Sequence, residues 1–67
     1  MNTYTVEYRL DDIEDYDNTE YIDGLESAKE VNEEVDKIKK EYGERIVLLD
    51  VKMYDEDGWL VGAHTII

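Results

Sequence analysis

Sixty-seven residues with nineteen Asp and Glu against seven Lys and Arg leave a net charge of -12. There is no cysteine, so neither a disulfide nor a cysteine zinc site can brace the fold. No run approaches the roughly 20 apolar residues needed to span a bilayer, and this much negative charge argues against direct contact with DNA or RNA.

A chain of this length forms one small domain over 1–67 and buries only roughly 60% of its unfolded surface. High net charge favours disorder, but 42% of the residues are hydrophobic and they are periodic, which predicts a folded chain. Residues 3–10 alternate, with Tyr4, Val6, Tyr8 and Leu10 on one face and Thr3, Thr5, Glu7 and Arg9 on the other. That is the period of a half-buried strand. The next segment, DDIEDYDNTEYID at 11–23, holds seven acidic residues and no base. Asp17-Asn18 reads as a turn. Thr19 to Ile22 reads as a short returning strand, with an ordered acidic loop as the competing reading.

A helix of about 16–18 residues follows. Leu25, Ala28, Val31, Val35, Ile38 and Tyr42 form its apolar stripe at spacings of three and four. Asp23 with Glu26, or Ser27 with Glu30, suits a capping box. Glu33 with Lys37 and Asp36 with Lys40 support the exposed side, and Gly43 is a natural stop. Residues 45–54, RIVLLDVKMY, predict a second firm strand with Val47, Leu49, Val51 and Met53 on one face. DEDG at 55–58 predicts a hairpin turn, and Trp59 to Ile67 the return strand. The fold class is α+β: a three- or four-stranded, mainly antiparallel sheet with one helix packed on one face, in the order β-(β)-α-β-β. The expected core is Tyr4, Val6, Tyr8, Leu25, Ala28, Val31, Val35, Ile38, Val47, Leu49, Val51 and Val61.

The residue types needed for catalysis are scarce. The chain has one histidine (His64), one serine (Ser27) and no glycine-rich phosphate loop, so neither a nucleophile–base pair nor a cofactor site is expected. Asp15, Asp17, Thr19, Tyr21, Asp23 and Glu26 follow the spacing of a calcium loop, but Glu20 stands where the sharp turn needs glycine. A strand also replaces the incoming helix. The expectation is no enzyme, no cofactor and no metal.

Charge and aromatic residues carry the functional reading. Residues 1–23 hold eight acids and one base, whereas 24–42 hold six acids and four lysines. The candidate partner-binding residues are Asp11, Asp12, Glu14, Asp15, Tyr16, Asp17, Glu20 and Tyr21, together with Asp55, Glu56, Asp57 and Trp59 around the hairpin. Tyr and Trp anchor protein interfaces, and charges around them steer a partner of opposite sign. Carboxylates on alternate strand residues lie about 6.6–6.8 Å apart, close to the contour spacing of phosphates in an extended nucleic-acid strand. The length, the charge and the DDIEDYDNTEYID and YDEDGW stretches resemble small acidic phage-encoded anti-defence proteins, notably DNA-mimicking anti-CRISPR proteins. The resemblance implies an inhibitor that takes the basic groove of a nucleic-acid-binding defence protein, of anti-CRISPR or anti-restriction type. It implies action in the cytoplasm of the host cell, in keeping with an N-terminus that lacks a basic and then apolar leader.

Two alternatives stay open. One is an immunity protein or antitoxin that neutralises a cationic toxin through the same acidic face. The other is a small structural or assembly protein forming a homodimer, for which Ile46, Leu48, Leu60, Ile66 and Ile67 would leave the second sheet face partly apolar.

Overall fold

A computed structural model describes residues 2–11 and 19–67. The elements in chain order are β1 (Thr3–Leu10), β2 (Glu20–Leu25), α1 (Ala28–Tyr42), a single 3-10 turn at Gly43–Arg45, β3 (Ile46–Tyr54) and β4 (Leu60–Thr65). The four strands make one antiparallel sheet in the order β2-β1-β3-β4. The helix lies across one face, packed on β1 and β3. The fold is α+β, with one helix on one face of a four-stranded sheet.

Alternation on β1 and the helical stripe meet to form the core. Val6 and Leu49 are fully buried, and Val31, Val35, Ile38 and Ile46 close around them. Tyr4, Tyr8, Leu10, Ile22, Leu25, Tyr42, Val51 and Ile66 pack at the margin. At the end of the helix Tyr42 stacks on Tyr8, with ring centroids 5.7 Å apart. Aromatic pairs favour this offset geometry.

Ser27, not Asp23, caps the helix. Its hydroxyl accepts from the Glu30 N–H at 3.2 Å, and the Glu30 carboxylate turns back to accept from the Glu26 N–H at 2.6 Å. Ser27→Ala is expected to cost about 1 kcal/mol, read as a lower urea midpoint at unchanged slope. On the exposed side Lys37 pairs with Glu34 at 3.3 Å and not with Glu33. Leu25, expected in the helical stripe, ends β2 and reaches the core from the sheet.

Strand irregularities explain the other departures from the expected core. Between Arg9↔Leu48 and Leu10↔Ile46 the register slips by one residue, leaving Val47 as the bulged extra. Ile46 therefore turns inward and Val47 is 51% exposed. Val61 is likewise the extra residue between Met53↔Gly62 and Tyr54↔Leu60, and it is half exposed. Ala28 is exposed on the first turn of α1. On β2 the pairing jumps from Val6↔Ile22 to Tyr4↔Leu25, with Gly24 at φ 78. This is a bulge that needs positive φ and takes glycine for that reason.

The second face of the sheet is less apolar than expected. Ile46 is buried in the core and Ile66 packs against it, the latter held by an N–H donated to the Leu49 carbonyl at 2.8 Å.

Candidate functional site

Among the described candidate residues, Asp11 and Glu20 lie at one end of the sheet and the Asp55–Trp59 hairpin lies at the other. Leu10 pairs with Ile46 at one end and Thr3 with Tyr54 at the other, so Asp11 and Glu20 are separated from the Asp55–Trp59 hairpin by the length of β1. Eight residues at about 3.3 Å each make that separation about 25 Å. The described candidate residues therefore do not form one patch. Asp12, Glu14, Asp15, Tyr16 and Asp17 lie outside the described residues. Asp11, Glu20, Glu56 and Asp57 are exposed.

Asp55 is occupied locally. Its carboxylate accepts from the N–H groups of Asp57 and Trp59 at 2.9 and 3.0 Å, while its carbonyl accepts from Gly58 at 3.1 Å. With Gly58 at φ 87 this is a type I turn closed by a glycine bulge. The turn thrusts Trp59 outward, 72% exposed. Tyr21, 59% exposed, stands opposite Glu7 on the face away from the helix.

That open face carries a cluster that strand alternation alone did not single out. Glu7 and Asp50 are direct cross-strand neighbours, and Lys52 lies two residues along β3 from Asp50. The Lys52 ammonium meets a Glu7 carboxylate oxygen at 2.7 Å. Glu7 is 6% exposed. The Lys52 hydrogen bond outweighs its burial and holds its pKa below the ordinary carboxylate value. Asp50 goes the other way: burial, then the adjoining Glu7 carboxylate, push it up to about 6. One Asp50 oxygen, Oδ1, is buried without a hydrogen-bond partner. Around this centre Thr5 donates to Asp23 at 2.9 Å and Arg9 donates to Thr19 at 3.3 Å. The signal in the sequence was that Glu7, Asp50 and Lys52 all occupy outward positions on two firmly expected strands. Only their register joins them.

Two carboxyls with pKa values driven apart resemble an acid–base pair. Catalysis would also need a cavity to hold a substrate beside them. A hollow of about 200 Å³ opens on the helix side, between Tyr4, Val51, Met53, Gly62, Ala63 and His64. The carboxyl pair faces the other way. His64 stands beside that hollow, opposite Val51 on the edge strand.

Of the residues with calcium-loop spacing, Tyr21 and Asp23 belong to β2, Thr19 accepts from Arg9 and Asp23 accepts from Thr5, while Asp15 and Asp17 lie outside the described residues. Among the described residues no group of three or more His, Asp or Glu could hold a metal ion. Among them, too, no helix is long and apolar enough to cross a membrane.

No protein-family model matches this chain, and neither does any curated protein or solved structure.

Charge is divided between the two layers. Helix α1 carries Lys29, Lys37, Lys39 and Lys40 against five acids. The remaining cations are Arg9, Arg45 and Lys52, and each is engaged: Arg9 with Thr19, Lys52 with Glu7, and Arg45 over the Tyr42 ring at 5.8 Å. Eleven of the fifteen acidic residues among those described are exposed.

Proposed function

We propose that this chain is a non-enzymatic acidic binding protein that takes the basic groove of a nucleic-acid-binding host defence protein, as a nucleic-acid-mimicking inhibitor of anti-CRISPR or anti-restriction type. The observation that supports this reading is the charge division: four of the five lysines lie on the helix, while the sheet and its connections carry the surplus of carboxylates, with Tyr21 and Trp59 exposed. A groove built for phosphates presents Lys and Arg at intervals that acidic side chains along an extended segment can meet. Attraction of this kind speeds association and is strongly screened by salt. The 11–23 tract supplies most of the charge and the two aromatics supply desolvated contact area. The setting is the cytoplasm of the host cell.

The test is direct binding to a purified CRISPR effector and to a restriction endonuclease at several salt concentrations. Affinity should fall steeply with salt, and DNA should compete. Reversing Asp12, Glu14, Asp15 and Asp17 to lysine together should weaken binding by about 100-fold. Binding unchanged by that reversal would remove the tract from the interface. Tight binding to a cationic toxin that DNA does not displace would favour the immunity-protein reading instead.

A further inference from the structure

The two edges of the sheet differ in kind. At one edge, β2 carries Glu20 and Asp23 and is bent by the Gly24 bulge. Charges and bulges are the usual means by which an edge strand avoids pairing with another chain. At the other edge β4 has a bulge only at its start, and Gly62 to Thr65 run in regular register with β3. Residues 59–67, WLVGAHTII, contain no Asp, Glu, Lys or Arg in a chain that is 39% charged. Trp59, Leu60, Val61 and Ile67 are all large, apolar and exposed here. The neutral run thus coincides with the strand whose outer side has no neighbouring strand among the described residues.

We propose that β4 pairs antiparallel with β4 of a second copy, forming a continuous eight-stranded sheet about a two-fold axis normal to it. Charge decides the occupant. A basic protein drawn to the acidic ends of the sheet gains no Coulomb energy along an uncharged strand, whereas a two-fold pairing matches this strand to its own kind. Antiparallel pairing also sets the two Asp55–Asp57 turns at opposite ends of the junction. They are then about 20 Å apart along six paired residues, well beyond the ~8 Å screening length at physiological salt. The axis keeps both helices on one face, so the hollows beside Tyr4, Met53 and His64 adjoin along the seam. A single strand pair is a small interface, and a micromolar dissociation constant is expected. The pairing itself is made by β4, and its test does not require the partner proposed above.

Sedimentation equilibrium of the whole chain from about 1 µM to about 1 mM tests it. The mass should rise from that of one copy to that of two. Val61→Lys and Leu60→Lys, both at exposed positions, should each weaken the dimer at least about tenfold while circular dichroism stays unchanged. In the unaltered protein, amide exchange in β4 should slow as concentration rises and that in β2 should not. A monomer across the whole range overturns the proposal, including a monomer whose β4 is instead protected by a basic partner. So does a dimer that folded Val61→Lys and Leu60→Lys leave intact. If both variants unfold, β4 exchange that does not change with concentration overturns it.

Discussion

Leu49→Ala is expected to destabilise the protein by about 3–4 kcal/mol, while Val47→Ala two residues away should change stability by less than about 0.5 kcal/mol. Both residues are aliphatic and lie on the same strand. The difference comes from the bulge at Arg9–Leu10, which turns Ile46 toward the helix and leaves Val47 in solvent, while Leu49 keeps its regular inward place opposite Tyr8. Leu49 is fully buried among Val6, Val35 and Ile38, and a site closed by both sheet and helix has little freedom to collapse on a cavity. A chain of this length has a total stability of roughly 3–10 kcal/mol, so the loss is a large share of it. The melting temperature should fall by about 12–30 °C. Thermal unfolding followed by circular dichroism checks both variants. Equal losses at 47 and 49 would mean an unbroken alternation along β3 and no bulge.

At neutral pH, Asp50→Asn is expected to raise stability by about 1–2 kcal/mol. The ionised Asp50 carboxylate is part-buried beside Glu7 and has an oxygen without a partner, so its charge is opposed by desolvation and by its neighbour. An amide keeps the shape and donates a hydrogen bond to the Glu7 carboxylate. The pH dependence gives the sign. Asp50 has a folded-state pKa of about 6 against an ordinary 3.8, so the folded state holds more protons in that interval. Stability therefore falls as pH rises from about 4 through about 6, and the favourable contribution is complete only below that window. Glu7 is lowered below 4.5 by Lys52, so its contribution is present above that value and is lost as pH falls through its depressed pKa. The unaltered protein should thus be most stable on the acid side of neutrality. The advantage of Asp50→Asn should fade to nothing near pH 4. Urea denaturation at pH 4.5, 6 and 7.5 measures this, and an advantage that is constant with pH would rule out ionisation of Asp50 as its source.

Local periodicity carried most of the architecture. The alternation of Tyr4, Val6, Tyr8 and Leu10 can only place those side chains on one side of a strand, and the three-and-four spacing of Val31, Val35 and Ile38 can only make one helical stripe. Those two patterns, with Ser27, Gly43 and the DEDG turn, determine an α+β order and a single apolar layer. The -12 charge and its concentration after the first strand are also fixed by composition alone.

Everything that depends on which strand lies beside which was decided by the tertiary structure. A one-residue bulge reverses every later side chain between faces, and such a bulge is a compromise between two strands that neither encodes separately. Hence Ile46 took the place expected for Val47, and Val61 left the core. The Glu7–Asp50–Lys52 cluster joins residues more than forty positions apart, so its shifted protonation exists only when β1 lies against β3. Strand register likewise set Asp11 and Glu20 apart from the Asp55–Trp59 hairpin, and sheet order made the uncharged β4 an edge. Pairing between distant segments has no local period to announce it, and these are the features that set how the surface of this protein meets a partner.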